Sequence, residues 1–184
     1  DIRVQVGEGA HALLGTPGAT RFYASDAQPA TQRVRLHLEP GARLEWLPLE
    51  TIAYPGCDAV NDWQATLSPG AELIAWDVTA LGLPAAGQPF DRGRLQQRLS
   101  LPGQWLEQAH IDAADTRLLE SPLGLAGQRC LGTLLLACGS PLPRDRRYAL
   151  LEAGRSALPP AADGVHLAAT CPHPQLLVLR ALAP

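Results

Sequence analysis

Residues 70–76 read Gly-Ala-Glu-Leu-Ile-Ala-Trp, and two earlier stretches repeat this pattern of a Gly-Ala pair followed by an apolar run. The earlier copies lie at residues 9–14 and 41–46, so the copies begin 32 and 29 residues apart. In the last two copies apolar and polar side chains alternate after a Pro-Gly turn, which is the pattern of a half-buried strand. Units of this length cannot bury an apolar face alone. They therefore predict a mainly β protein with strands stacked as an irregular β-solenoid, a β-helix-like form, with a sandwich as the competing architecture.

Further strands are expected between and after the repeats. They cover residues 32–38, 62–67, 95–101, 105–111, 127–138, 165–170 and 175–182. The turn Pro102-Gly103 joins two of them into a β-hairpin. Residues 127–138 end in a segment that is apolar on both faces, which predicts a strand inside a sheet. Helical spacing is convincing only over residues 145–153, so one or two short helices complete the expected fold.

The composition is that of one folded domain. The chain has 184 residues and a mass of 19.6 kDa, and its 46% hydrophobic content is too high for a disordered chain. Its 17 Gly and 17 Pro predict many turns and short strands. We expect a single domain over residues 1–184. The sequence contains no Met, so we expect that its ends are cut or processed.

Charge and cysteine usage exclude several classes of partner. The net charge is −3, and all 15 basic residues are Arg, without the dense basic stripe that phosphate binding needs. The apolar runs are far shorter than the roughly 20 residues of a membrane helix. Four Cys without a CxxC pair fit reduced thiols. We therefore expect a soluble, cytoplasmic protein that binds neither nucleic acid nor membrane.

Motifs of known enzymes are missing from the sequence. It contains no HExxH, no GxSxG, no P-loop and no GxGxxG between a strand and a helix. A Ser-His-Asp triad assembled from scattered residues carries little weight in a chain with 5 His. The sequence therefore favours a protein that is not an enzyme.

Two segments combine residue types that bind metals. Cys171-Pro172-His173 places a thiol and an imidazole two residues apart, but a full site needs four or more donors, and a turn with a buried Cys is the simpler interpretation. Cys57-Asp58 is the richer cluster, because Glu45 and Glu50 are near in sequence. Carboxylates beside a thiolate could bind a divalent cation weakly and pass it on. The alternative is that Glu45 faces solvent and Asp58 caps a turn.

Aromatic residues are candidates for both core and interface. Phe22 is expected in the core, while its neighbours Arg21 and Tyr23 are candidates for contact with a partner. Trp46 and Trp76 lie on the repeated strands and are expected in the core.

Several blocks together resemble the urease accessory protein UreD family, also called UreH. They are HALLGTPGATRFYAS (residues 11–25), PGARLEWLPLETI (40–52), LGLPAAGQPFDRG (81–93), SPLGLAGQRCLGTLL (121–135) and QLLVLRALAP (175–184). LEWLP followed by ETI is the most specific element, and the resemblance covers nearly the whole chain. Family members are longer at both ends, so the resemblance implies that residues 1–184 are the core of a UreD-like protein without its N- and C-terminal segments. The chain departs from the family pattern at Gly15 and Leu49, and Leu83, Ala86 and Gln88 replace ionisable residues of the third block with neutral ones.

The resemblance implies a non-enzymatic urease maturation factor. Such a protein binds the urease apoprotein and recruits the partners UreF and UreG, the latter a GTPase that delivers nickel. It implies no tightly bound cofactor, only transient nickel, which passes along a polar route through an irregular β-solenoid with two helices. By matching blocks, the acidic candidates for a weak nickel route are Glu45, Glu50, Asp58, Asp77 and Asp91, and the partner-binding candidates are Arg21 and Tyr23.

Two rival classes make different structural predictions. An enzyme, such as a hydrolase, predicts a concave pocket with a strongly perturbed His or carboxylate. A peptide- or carbohydrate-binding β-module predicts a groove lined by exposed Trp residues. A scaffold predicts a large, flat apolar patch.

Overall fold

The computed structural model of the chain describes residues 1–26, 28–160 and 163–184. Its strands are β1 (Ile2–Val6), β2 (His11–Leu14), β3 (Thr20–Phe22), β4 (Ala30–Leu38), β5 (Arg43–Trp46), β6 (Thr51–Ala53), β7 (Cys57–Leu67), β8 (Glu72–Leu83), β9 (Gln88–Pro89), β10 (Gly93–Leu101), β11 (Trp105–Asp112), β12 (Cys130–Cys138), β13 (His166–His173) and β14 (Leu176–Ala183). Its helices are α1 (Thr116–Glu120) and α2 (Arg144–Ala157), with a 3-10 turn at Pro84–Ala86.

The strands form two main sheets. The first sheet has the order β1-β4-β7-β10-β11, and all of its neighbours are parallel except the β10-β11 hairpin. The second sheet has the order β13-β14-β12-β8-β5-β2. The long strand β8 pairs in parallel with β5 through its first half and with β6 through its second half, and β6 pairs in parallel with β3.

The sequence repeats correspond to strands that stack in parallel. His11 of β2 pairs with Arg43 of β5, and Arg43 pairs with Glu72 of β8, so the pairing offsets equal the 32- and 29-residue spacings of the sequence. The Gly at each turn adopts a positive φ, which is 67° at Gly41 and 76° at Gly70, and only glycine adopts this conformation without strain. The mainly β class is thereby confirmed, and the solenoid form stays a prediction.

Most of the remaining expected elements are present with shifted ends. The β10-β11 hairpin and the antiparallel β13-β14 pair are confirmed. The strand expected from residue 127 begins at Cys130, and the expected helix extends over the longer α2. The sequence analysis did not place α1, whose first turn is capped by Asp115 accepting a hydrogen bond from Leu118 N at 2.9 Å.

Two apolar clusters fill the space between the sheets. The larger cluster includes Leu38, Leu44 and Leu73, and the smaller one includes Leu81 and Leu95. All five of these leucines are fully buried. The clusters occupy different levels of the same strands, since β8 contributes to both.

The predicted core residues separate by face of the sheet. Phe22 and Trp46 are buried, as expected. The prediction that Trp76 lies in the core is wrong, because Trp76 is 39% exposed and donates its indole N–H to Pro48 O at 2.6 Å. In the first half of β8 the buried side chains are Leu73 and Ala75, so the strand pleat turns Trp76 to the outer face. No helix in the described part of the chain is long and apolar enough to cross a membrane.

Candidate functional site

A layer of polar side chains separates the two apolar clusters. We call it the polar seam and define it as Gln32, Asn61, Asp77, Thr79 and Gln97. Gln32 of β4 and Gln97 of β10 both pair in register with Asn61 of β7, so three amides lie side by side on neighbouring parallel strands. Asn61 and Gln97 are buried, as is Thr79 on the opposite sheet. An amide ladder therefore crosses the interior of the first sheet.

The seam is connected by hydrogen bonds that converge on Asp77. Asn61 Nδ2 donates to Asp77 Oδ2 at 3.0 Å, and Thr79 Oγ1 donates to Asp77 Oδ1 at 3.1 Å. Gln97 Nε2 also donates to Asp77 Oδ1, and it lies 3.2 Å from Thr79 Oγ1. Gln32 Nε2 extends the chain of contacts to Asn61 Oδ1 at 3.5 Å. These donors thus point at carboxylate, amide or hydroxyl oxygens of other seam residues.

A row of threonines on the second sheet continues the polar layer. Thr51 of β6 pairs in register with Thr20 of β3 and with Thr79 of β8. Thr51 is buried, and Thr20 donates its hydroxyl to Gln32 Oε1 at 3.0 Å. The polar side chains therefore extend from the first repeat, at Thr20, to Gln97 near the hairpin.

Burial raises the pKa of Asp77 above its ordinary value of 3.8. The hydrogen bonds from Thr79, Asn61 and Gln97 oppose this shift, and the negative charge of Glu107 adds to it. Among the described residues, the side chains that donate hydrogen bonds to the Asp77 carboxyl group are all neutral.

A cavity of about 340 Å³ opens beside the seam. Asp77 and Gln97 line one side of it, and Glu107, Thr133, His166 and Arg180 supply its other polar groups. Arg180 forms an ion pair with Glu107, and its guanidinium carbon lies 5.8 Å from the centre of the Trp105 ring. Asp77 thus borders both the polar seam and this cavity.

A smaller space of about 20 Å³ lies on the other side of Asp77. Thr16, Gln32 and Trp63 are among the residues that line it. Trp63 Nε1 is buried and has no hydrogen-bond partner among the described residues. A space of this size with several polar groups is large enough for one water molecule.

The seam contains oxygen atoms that are possible ligands for a divalent cation, from one carboxylate, three amides and one hydroxyl. Carboxylate, amide and hydroxyl oxygens are hard ligands, and the seam contains neither Cys nor His. An amide offers both N–H groups and an oxygen, so the same Asn and Gln residues satisfy Asp77 and could turn an oxygen toward a cation. Weak sites in series are what passage requires, because an ion must also leave each site.

Of the five acidic residues implied by the family resemblance, Asp77 lies in the seam. Three others have separate partners at the surface: Glu45 lies 3.0 Å from His11, Asp58 lies 2.6 Å from Arg94, and Asp91 lies 3.3 Å from Arg92. Hydrogen bonding to Arg94 lowers the pKa of Asp58. Glu50 is half-buried, and its charge helps to raise the pKa of Cys130. The structure does not bring these acids together.

No metal cluster forms at the other sequence candidates either. Within residues 1–26, 28–160 and 163–184, no group of three or more His, Cys, Asp or Glu side chains is placed to hold a metal ion. Cys57 is buried, and burial raises the pKa of its thiol. Cys171 and His173 lie at the end of β13, where the pairing with β14 is irregular.

The partner-binding candidates lie at the surface. Arg21 and Tyr23 are exposed on either side of the buried Phe22. The Tyr23 ring packs against the Tyr54 ring, with 4.8 Å between their centres. Their role in an interface stays a prediction.

The sequence analysis missed the amide ladder. The signal was present, because Asn61 and Gln97 each interrupt a row of inward-facing apolar side chains in their strands. Asn61 is 29 residues from Gln32 and 36 residues from Gln97. The pairing register of β4, β7 and β10 was needed to show that these three amide side chains lie side by side.

Comparison with known proteins identifies the family. The family model described as UreD urease accessory protein matches residues 1–184. Proteins named urease accessory protein UreD are 60% identical in Albidiferax ferrireducens, 54% in Paracidovorax citrulli and 52% in Variovorax paradoxus, each over all of this chain and 67% of the relative. The chain thus spans about two thirds of the length of these relatives. It belongs to the UreD urease accessory protein family.

Proposed function

We propose that this protein is a urease maturation factor that acts in the cytoplasm as a scaffold and not as an enzyme. It binds the urease apoprotein together with UreF and UreG, and nickel passes through it on the way to the urease active site. Membership of the UreD family supports the role in urease maturation. The polar seam supports the proposed route of nickel through the protein.

The observation that carries the nickel route is the position of the seam. Burying polar groups costs free energy unless every group is hydrogen-bonded, and an apolar layer at this level would join the two clusters into one core. The seam places hydrogen-bonded polar side chains where apolar ones would pack, and such departures from an apolar core occur mainly where function requires them. The seam connects to a cavity of about 340 Å³ through Asp77, the one family-implied acid inside the protein.

The strand pairing supports a finer description of the fold. We propose that the three repeats are coils of an irregular β-solenoid, and that the amide ladder runs from coil to coil. The parallel pairs β1-β4-β7 and β2-β5-β8 support this description, since equivalent strands of successive repeats lie side by side.

The rival classes receive less support. A cavity with a perturbed carboxyl is what an enzyme predicts, but the sequence contains none of the enzyme motifs named above. Among the described residues, neither His nor Cys forms a hydrogen bond with Asp77. A carbohydrate-binding groove would need several exposed Trp residues, whereas Trp46 and Trp63 are buried.

The test replaces Asp77 with Asn in the full-length protein, expressed with UreF, UreG and the urease apoprotein. We expect the complex to form as before, because Asp77 is inside the protein, while nickel content and urease activity fall. A loss of about tenfold corresponds to 1.4 kcal/mol, the scale of one charged hydrogen-bonding group. Asp145→Asn removes the same charge at an exposed position on α2 that is not among the five candidate acids, and it serves as the control. Normal nickel loading in Asp77→Asn, in a folded protein, would exclude the proposed route.

The surface candidates are tested separately. Tyr23→Ala should weaken recovery of the complex without changing the fold, since the Tyr23 ring is exposed. Glu50→Ala should slow urease activation if Glu50 contributes to the nickel route. Unchanged activation by a stable Glu50→Ala variant would remove that residue from the route.

A further inference from the structure

The polar layer continues beyond the polar seam along the second sheet. Asp77 of β8 pairs in register with Thr133 of β12, and Thr133 pairs in register with Arg180 of β14. Residues that lie directly opposite each other on neighbouring strands share one face of the sheet. Thr133 is buried, and its Oγ1 lies 3.5 Å from Arg180 Nη1. A row of three polar side chains therefore crosses this sheet from Asp77 to Arg180.

Glu107 of the first sheet meets the end of this row. On β11, Trp105 packs against the larger apolar cluster and Ala109 packs against the smaller one, so Glu107 lies at the level between the clusters. Arg180 lies at the same level, because residues 178 and 182 of β14 contact the larger and the smaller cluster in the same way. Arg180 and Glu107 form an ion pair. The polar layer thus ends in two opposite charges.

The ion pair has access to solvent. The side chains of Arg180 and Glu107 are 44% and 24% exposed, and the guanidinium lies over the Trp105 ring at the edge of the cavity. Ion pairs in contact with water contribute little to stability, because water solvates the separated charges almost as well. The Arg180 guanidinium can therefore leave Glu107 for solvent at a small cost in free energy, which a fully buried ion pair could not do.

The charges that line the cavity match a divalent cation once Arg180 has left. Asp77, Glu107 and Arg180 all line it. Burial raises the pKa of Asp77 and the negative charge of Glu107 adds to this shift, so the two carboxylates act on each other. With Arg180 in place, two ionised carboxylates share one positive charge. Without it they carry two negative charges, which one Ni²⁺ neutralises.

We propose that Arg180 is the tethered counterion of the nickel route, a role that rests on the route proposed above. Its guanidinium neutralises Glu107 while the cavity is empty, and it moves toward solvent when Ni²⁺ reaches the carboxylates of Asp77 and Glu107. When the ion leaves, Arg180 returns to Glu107. The return compensates the carboxylate that the ion has left, so it favours release of nickel over retention.

The first experiment measures Ni²⁺ binding to the full-length protein by equilibrium dialysis. In Arg180→Gln we expect the Kd to be about fivefold lower, which corresponds to about 1 kcal/mol, the upper range for an exposed ion pair. Arg180→Lys keeps a positive charge and should bind Ni²⁺ as the parent does. Arg155→Gln removes an exposed Arg that pairs with Glu152 on α2, and it serves as the control. An unchanged Kd in a folded Arg180→Gln variant would overturn the proposal.

Removal of the other partner should have the opposite effect. Glu107→Gln removes one of the two carboxylates that receive the ion and leaves Arg180 free to approach Asp77. We therefore expect a higher Kd for Ni²⁺ than that of the parent. A merely structural ion pair predicts the same direction of change for both variants, since each breaks the same contact. The same direction of change would overturn the proposal.

The second experiment follows the transfer of nickel. The full-length protein is expressed with UreF, UreG and the urease apoprotein, and nickel is counted on the purified protein and on urease. In Arg180→Gln we expect more nickel on this protein and lower urease activity, because release is impaired. A misfolded variant would lower both quantities. A fall in both, or no change in either, would overturn the proposal.

Failure of this role is distinguishable from failure of the route. If Asp77→Asn lowers nickel loading while Arg180→Gln binds Ni²⁺ as the parent does, the route stands and the role of Arg180 is overturned. If nickel loading in Asp77→Asn is normal, or if the parent binds no Ni²⁺, the route and the role of Arg180 are both excluded.

Discussion

Replacement of Asp77 by Asn should change how the stability of the protein depends on pH. Because burial raises the pKa of Asp77 above 3.8, the unfolded chain loses this proton at a lower pH than the folded protein does. Between those two pKa values the unfolded state binds fewer protons, so the free energy of unfolding falls as pH rises, by up to about 1.4 kcal/mol per pH unit for one group. Above the native pKa the contribution of Asp77 is constant.

The Asn variant lacks this titration, so its free energy of unfolding does not fall in this pH range as that of the parent does. The difference between the two, variant minus parent, should therefore increase as pH rises and then become constant. A pH-independent loss of about 1–3 kcal/mol accompanies it, because the new amide N–H₂ group faces donors that Asp77 accepts from. Urea unfolding of both proteins at half-unit steps from pH 4.5 to 8 distinguishes the pH-dependent part of the difference in free energy of unfolding from the constant part. Asp91→Asn controls for the loss of one negative charge at the surface. Parallel curves for Asp77→Asn and the parent would refute the buried-carboxyl argument.

Three further predictions concern packing, backbone and thiols. Leu73→Ala should lower the free energy of unfolding by about 2–5 kcal/mol, whereas Leu13→Ala, at a 63% exposed position, should change it by less than about 0.5, as urea unfolding can measure. Gly82→Ala should destabilise more than a surface change, because φ is +74° and the new Cβ would lie 2.5 Å from a backbone nitrogen; unchanged thermal unfolding would contradict this. A thiol reagent should modify the half-buried Cys171 before the buried Cys57, and the reverse order would contradict the burial.

Local patterns were sufficient for most of the fold. The Gly-Ala repeats, the Pro102-Gly103 hairpin and the helix after Pro143 were all predictable, because turn chemistry and side-chain alternation act between residues close in sequence. The ends of elements were less predictable. The strand expected from residue 127 begins at Cys130, because residues 121–127 form turns next to α1.

The candidate site was predictable only in part. The family resemblance implied Asp77 along with four other acids, and the structure separates them, placing Asp77 inside and Asp58 beside Arg94 at the surface. Residues that share a site must be aligned by strand register, and that information is spread over the whole chain. The amides of Asn61 and Gln97 were missed for this reason.

Alternation, turn residues and motifs are properties of short stretches, so they were sufficient to predict the β class, the repeat length and the family. Which face of each strand is covered depends on packing between elements that are distant in the sequence. β8 illustrates the difference: its apolar residues alternate between two faces, and the sequence indicated burial for Trp76 on the outer face as strongly as for Leu73 on the inner face. Burial is decided by what packs on each face, and the elements that pack on β8 come from distant parts of the chain.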